Sequence, residues 1–397
     1  MKMDRRIFLL GGGGLLMAAA PMSQLSLGVI GSGGRGTTVM KVFLSNPIVR
    51  VAGICDVYEP NLERALSIAR QSGSQPRAYR RYSDLLADKN IDVVLIATPE
   101  HWHYQMVIDA LAAGKDIYIE KPLCRTPEEG VALVKAEQKS KSVIQVGMQR
   151  RSYDLYLEAR KIVAEGVLGN VRMVRSWWLN NSLDSKPATK LEGKLDWEEW
   201  QGPAEHRPFD PDRFQNWREY SEYSGGIVAD QGAHVFDGVH LLMNAGYALA
   251  VNASAGRLHK DRVDTPESVV VIAEYPEDFL AVFTINYAAM HYQPRNDQLN
   301  QLDGSEARLD IGREDFHLYR RGNEERPERS GHSPLGFAHA TDLHVANFLE
   351  CVRTRQATTA PIRLGFQAAL VVQMANQSWR AGRRLRWNTA TNMVEGK

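Results

Sequence analysis

Three residues have the types and spacing to move a proton and to steady negative charge growing on an oxygen. Lys121 lies in Glu120-Lys121-Pro122, directly after a short apolar run. Asp230 and His234 lie in Asp230-Gln231-Gly232-Ala233-His234, at i and i+4, so on a helix they share one face. When a hydride leaves a carbinol carbon, the hydroxyl proton must leave too. An imidazole has the ordinary pKa for that base, and a lysine can donate to the same oxygen as charge develops. Asp230 would hold a neighbouring hydroxyl or orient the imidazole. Asp237 continues the same face and reads as structural. A lone histidine on such a helix is more often a satisfied core residue. In this pattern, catalysis by Lys121, His234 and Asp230 is the stronger reading.

Such chemistry needs a hydride acceptor. Gly31-Ser32-Gly33-Gly34-Arg35-Gly36 has the glycine spacing G-x-G-x-x-G. Alone that pattern is weak. Here it follows an apolar run, Leu25 to Ile30, and opens a helical pattern, Gly36 to Leu44. Glycines there allow a tight turn and let a pyrophosphate approach the backbone, with a helix N-terminus facing its charge. Asp56 ends the next apolar run, Val49 to Cys55. A carboxylate in that place accepts hydrogen bonds from the adenosine ribose and repels a 2′-phosphate, which favours NAD over NADP. The plainer reading, a helix cap or turn residue, fits that place less well. Gly31, Gly33, Gly34, Arg35, Gly36 and Asp56 are therefore candidate cofactor residues. Cys55, Cys124 and Cys351 are widely spaced and odd in number, so neither a metal site nor a disulfide framework is expected.

The elements that must position these groups follow from apolar patterning. Ile91 to Ala97, Asp116 to Ile119 and Ser142 to Val146 read as further buried strands. Asn61 to Gln71, Tyr104 to Ala113 and Pro127 to Ser140 read as the helices between them. Uniformly apolar strands alternating with helices mean a parallel sheet covered on both faces. Residues 25–148 are thus an expected doubly wound nucleotide domain. After that the strands lengthen: Val171 to Asn180, Glu267 to Glu274, Leu280 to Tyr287 and Glu306 to Ile311, with a hairpin turn at 274–279. Asp342 to Arg353 and Gly365 to Ala381 are helical. Residues 149–397 are expected to form a second α/β domain around an open, mostly antiparallel sheet. A length of 397 residues fits two cores better than one.

With these motifs in order, the chain resembles the Gfo/Idh/MocA oxidoreductases over nearly everything after residue 25. Thr98-Pro99-Glu100-His101-Trp102-His103 is similar to the family's T-P-x-x-x-H. Gly147 to Arg151 is similar to its interdomain segment, and Gly225 to Asp237 to its G-G-x-x-x-D-x-G-x-H-x-x-D. The resemblance implies that Lys121 and His234 face a nicotinamide and that Thr98, Pro99, His103 and Glu120 lie near the cofactor. It also implies a Lys121–Pro122 bond that can be cis, and sugar or cyclitol substrates. His101 reads as a loop residue. Arg150, Arg151, Trp178 and Tyr292 are candidate substrate contacts, with surface ion pairs the ordinary alternative for the arginines. Five of the eight tryptophans, Trp177, Trp178, Trp197, Trp200 and Trp217, surround an irregular stretch, 180–223. A sugar-binding wall, a subunit interface and plain packing explain them equally well.

A net charge of +1 points to neither nucleic acid nor an anionic membrane. A small-molecule substrate and a homo-oligomer are the expected partners. Residues 1–24 read as a leader: Arg5-Arg6, then an apolar run to Ala20 too short to span a membrane. It resembles a twin-arginine export signal, with Asp4 replacing the usual hydroxyl residue. Gly11 to Gly14 belong to this leader, since no strand precedes them. The expected location is periplasmic or secreted, with a leader on a cytoplasmic enzyme as the alternative. Outside the cytoplasm free NAD is scarce, so a retained cofactor and redox-neutral turnover would suit an exported enzyme, as in secreted glucose-fructose oxidoreductases. Three functions stay in view: a dehydrogenase of a carbohydrate secondary alcohol, an NAD-assisted glycosidase similar to glycoside hydrolase family 109, and a non-catalytic sugar or nucleotide sensor. Lys121, Asp230 and His234 argue against the last.

Overall fold

The structure, a computed structural model, describes residues 24–180, 187–258, 263–289 and 298–396. The leader and Tyr292 lie outside the described residues. The first half alternates strand and helix. It runs β1 (Leu25–Ile30), α1 (Gly34–Leu44), β2 (Val49–Cys55), α2 (Glu59–Gln71), β3 (Arg77–Tyr79), α3 (Tyr82–Ala87), β4 (Val93–Ile96), α4 (His103–Ala112), β5 (Asp116–Ile119), α5 (Pro127–Lys139) and β6 (Ile144–Val146). These strands form one parallel sheet in the order β3-β2-β1-β4-β5-β6. The order reverses between β1 and β4, the crevice where such sheets bind ligands.

The second half holds α6 (Asp154–Ala164), β7 (Val171–Leu179), α7 (Trp197–Gln201), α8 (Pro211–Gln215) and α9 (Gly226–Met243). There follow β8 (Ala250–Ala255), β9 (Ser268–Glu274), β10 (Leu280–Asn286), β11 (Gln298–Gly304), β12 (Ala307–Ile311), β13 (Asp315–Arg320) and β14 (Arg329–His332). The chain ends with α10 (His339–Thr354), α11 (Ile362–Ala381), β15 (Leu385–Asn388) and β16 (Met393–Glu395). Among the described residues ten strands make the second sheet, in the order β14-β13-β12-β11-β7-β10-β9-β8-β15-β16. It is antiparallel except where β7 pairs β10.

Two packings place the site. Helix α10 covers one face of the first sheet: Val345, Phe348 and Leu349 pack in one core with Leu27, Val29 and Tyr118. Helices α9 and α11 lie against the second sheet, where Phe236 meets Phe283 edge-on at 5.8 Å. Strand β9 alternates buried and open residues, as a sheet with one covered face must. Helix α9 is buried along nearly its whole length. It carries Asp230 and His234 to the carboxyl ends of β4 and β5.

Candidate active site

The cofactor loop is built by backbone geometry. Gly31 turns with φ +83°, and its N–H donates to the Cys55 carbonyl at 2.9 Å. A Cβ on Gly36 would fall 2.0 Å from the Gly31 carbonyl oxygen, so the loop and the helix close only around hydrogen. Gly33 precedes α1 as its cap residue and no side chain caps the helix, which leaves first-turn N–H groups for a ligand. Asp56, at the end of β2, accepts from Ser32 N at 2.7 Å, Ser32 Oγ at 3.1 Å and Tyr58 N at 2.9 Å. Burial raises its pKa, and those bonds and the charge of Arg64 oppose the rise. Arg35 reaches back from the loop to Glu120 at 2.8 Å, and its Nη2 is buried with no partner among the described residues. A glycine cradle, a free helix start, a cleft-lining carboxylate and an unspent guanidinium donor fit a dinucleotide.

The other end of the same cleft, about 640 Å³ in volume, holds Lys121, Asp230 and His234. The Lys121–Pro122 bond is cis. Lys121 Nζ donates to Asp230 Oδ1 at 2.5 Å and to the Asp230 carbonyl at 2.8 Å. An ammonium has three donors, so one remains for a substrate oxygen. Burial works against the Asp230 charge, but Lys121 and Arg218 outweigh it and hold the carboxyl below its ordinary value. Arg218 Nε stands 3.7 Å from Asp230 Oδ2. His234 is buried, and burial first, then the Lys121 charge, hold its pKa well below that of a free imidazole. The ring is therefore neutral, able to accept a proton. Its Nδ1 has no protein partner among the described residues. Asp230 is turned to the lysine, which leaves the imidazole free.

Several predicted residues sit elsewhere. Arg150 is not a surface residue. It is fully buried behind α9, between the rings of Tyr156, Trp178 and Phe337, and donates to Gln298 Oε1. Arg151 is also buried and pairs with Asp237 at 2.5 Å. Neither lines the cleft; their neighbour Gln149 does. Trp178 is buried and stacks on His234, centroids 6.5 Å apart, so it steadies the imidazole from behind. His103 lies behind the cleft wall, with its ring nitrogens 2.7 Å and 3.0 Å from the carbonyls of Pro122 and Thr98. Thr98, Pro99 and Glu120 line the cleft. His101 is buried, not a free loop residue, and meets the Trp200 carbonyl at 2.9 Å.

Glu100, Gln149 and Arg218 also line the cleft without having been singled out by pattern, beside Trp217 of the tryptophan cluster. Buried Glu100 accepts from Ser224 Oγ at 2.7 Å and Gly225 N at 2.8 Å. It thereby caps α9 from the first domain and fixes the helix that carries Asp230 and His234. Its place inside Thr98–His103 was the available signal; Arg218 had none beyond its tryptophan neighbour. Among the described residues, no group of histidine, cysteine and carboxylate residues could hold a metal ion.

A parallel nucleotide sheet, a glycine loop at its switch point and a lysine–aspartate–histidine set define an oxidoreductase with a dinucleotide site. The chain belongs to the Gfo/Idh/MocA oxidoreductase family: residues 25–148 match its NAD-binding Rossmann domain and residues 156–310 its C-terminal domain. It is 32% identical over 161 residues to a glycosyl hydrolase family 109 protein of Shewanella sp. (strain W3-18-1), covering 39% of this chain and 35% of that protein. It is 36% identical over 162 residues to an inositol 2-dehydrogenase of Corynebacterium glutamicum (strain R), covering 40% and 47%. The chain thus spans about half or less of the length of these curated relatives. In fold it is similar to levoglucosan dehydrogenase in complex with NADH and levoglucosan, with TM-score 0.74, 20% identity, and 91% and 99% of the two chains covered.

Proposed function

We propose that this protein uses NAD to oxidise a secondary alcohol of a carbohydrate or cyclitol. One observation carries the reading: Lys121 lies 2.5 Å from Asp230 beside a neutral His234, in a cleft whose other end is the glycine loop and Asp56. Bound NAD would supply the hydride acceptor. Neutral His234 accepts the carbinol proton, the remaining Lys121 donor steadies the oxygen, and Asp230 holds Lys121 in place. The relatives named for inositol and levoglucosan support a polyol substrate. Nucleotide-stripped protein should bind NAD more tightly than NADP by calorimetry. Arg80 also lines the cleft, so the preference rests on Asp56. Asp56→Ala should weaken NAD binding by about ten-fold and narrow the gap; tighter NADP binding by the unaltered protein would reverse the assignment. A panel of sugars, glycosides and cyclitols, read at the reduced-nicotinamide band, then finds the substrate.

The identity to a family 109 protein supports a second reading, glycoside cleavage by oxidation, elimination and reduction. Release of the aglycone with no accumulation of reduced nicotinamide would select it. We further propose export by the twin-arginine route, on Arg5-Arg6 and the apolar run after them. Replacing both arginines by lysine should trap the precursor in the cytoplasm; mature protein still exported from that variant would remove the proposal. Among the described residues, no helix is long and apolar enough to cross a membrane.

A further inference from the structure

From Lys194 to Tyr223 the chain lies against the first domain. It docks first on the loop after β2, just beyond Asp56. Glu59 N donates to the Lys194 carbonyl at 2.9 Å, Asp196 N donates to the Val57 carbonyl at 3.0 Å, and Tyr58 pairs antiparallel with Leu195. Helix α7 follows, and Trp102 Nε1 donates to the Trp200 carbonyl at 2.9 Å. Phe214 then packs edge-on against Tyr58 at 5.2 Å and against Trp200 at 5.6 Å. Finally Arg218 arrives beside Asp230. One segment, 194–223, therefore touches both ends of the cleft. Its Trp200, Phe214 and Trp217 line the same cleft as Gly31 and Asp56. It also has a core of its own, with Trp197 and Trp200 stacked at 4.8 Å and Tyr220 and Tyr223 buried beside them.

We infer that residues 194–223 are a strap closed over the dinucleotide, making NAD a slowly exchanging resident group and not a diffusible co-substrate. The inference rests on the NAD reading above. A nucleotide lying along an open crevice leaves by dissociation alone. Beneath this segment it leaves only when the strap lifts from its holds on the first domain, so release follows the strap. These holds include the pairing at 57–59, the Phe214–Tyr58 contact and the bonds of His101 and Trp102 to the Trp200 carbonyl and of Arg125 to the Glu222 carbonyl. The strap's aromatic core rests on the first domain, where the His101 ring lies 5.2 Å from both Trp200 and Tyr223 and Val57 packs beside it.

The test uses the full chain. Protein loaded with NADH is chased with excess NAD+, and release is followed by nicotinamide fluorescence. Release from the unaltered protein should be slow, and Phe214→Ala should speed it by about ten-fold or more, with the milder Phe214→Leu in between. NAD+ should also shield 194–223 from limited proteolysis in the unaltered protein, with the shielding reduced in both variants. NAD+ binding with fast release that neither variant changes, and equal proteolysis with and without NAD+, would overturn the strap while leaving the NAD reading intact. No NAD+ binding to stripped protein by calorimetry would overturn both.

Discussion

Lys121→Ala and His234→Ala should each lower turnover of a verified substrate by about two or more orders of magnitude, the range for losing general acid–base or oxyanion support. The two variants should differ in stability. Removing Lys121 leaves the Asp230 carboxylate in the protein with Arg218 at 3.7 Å, so Lys121→Ala should melt at a lower temperature. His234 offers Nδ1 to no protein group among the described residues, so His234→Ala loses only packing against Trp178 and should melt close to the parent. The pH profile supplies a second readout. The native pKa of His234 lies below the ordinary 6.5, so the neutral, base-competent ring persists as pH falls through that value. The acid limb of kcat/KM should therefore lie below pH 6.5 and be absent from the residual activity of His234→Ala. Wild-type-like turnover in either variant would remove that residue from the mechanism, and an acid limb above pH 6.5 would contradict the buried setting of the imidazole.

The nucleotide half was largely legible because its strands are apolar throughout and each motif sits where a strand ends. The run Leu25 to Ile30 and the glycines after it can hardly be anything else, although α1 starts at Gly34 and not Gly36. What stayed hidden has physical causes. Strand β3 has only three residues, two of them exposed, too few to show a period. Strand β11 does alternate, but its inward residues Gln298 and Asn300 are amides, buried because they bond Arg150 and Tyr156. The same partnership hid the fate of Arg150: a guanidinium is read as a surface or ligand group unless rings and an amide are known to enclose it. The stretch 180–223 looked irregular because α7 and α8 have five residues each and stay in place by docking on Tyr58 and Trp102. Of the candidate site, the acid–base set was legible as residue types, whereas the partner of Asp230 was not. Sequence spacing put the carboxylate and imidazole on one face; only the fold turned Asp230 toward Lys121.

Two alanine substitutions in the glycine loop should separate building the loop from using it. Gly36→Ala places a methyl 2.0 Å from the Gly31 carbonyl oxygen, a backbone atom held by the Gly31 N–H bond to Cys55. Alanine favours a helix over glycine by roughly 1 kcal/mol, but that gain does not relieve an overlap with main chain. The loop must shift, so this variant should lose both thermal stability and NAD binding. Gly33→Ala is different. Its φ is −59°, which any residue adopts, and the nearest atom to the new methyl is Asn61 Nδ2 at 3.8 Å, an ordinary contact. The protein alone should tolerate it and melt near the parent temperature. A pyrophosphate resting on the start of α1 should not, because the methyl takes the space its oxygens need. NAD affinity should then fall by about ten-fold or more, roughly 1.4 kcal/mol at least, with the fold intact by circular dichroism. Calorimetry on stripped protein reads the difference. If Gly33→Ala bound NAD as tightly as the parent, the pyrophosphate would lie away from this loop, and Asp56 would lose its claim on the ribose with it.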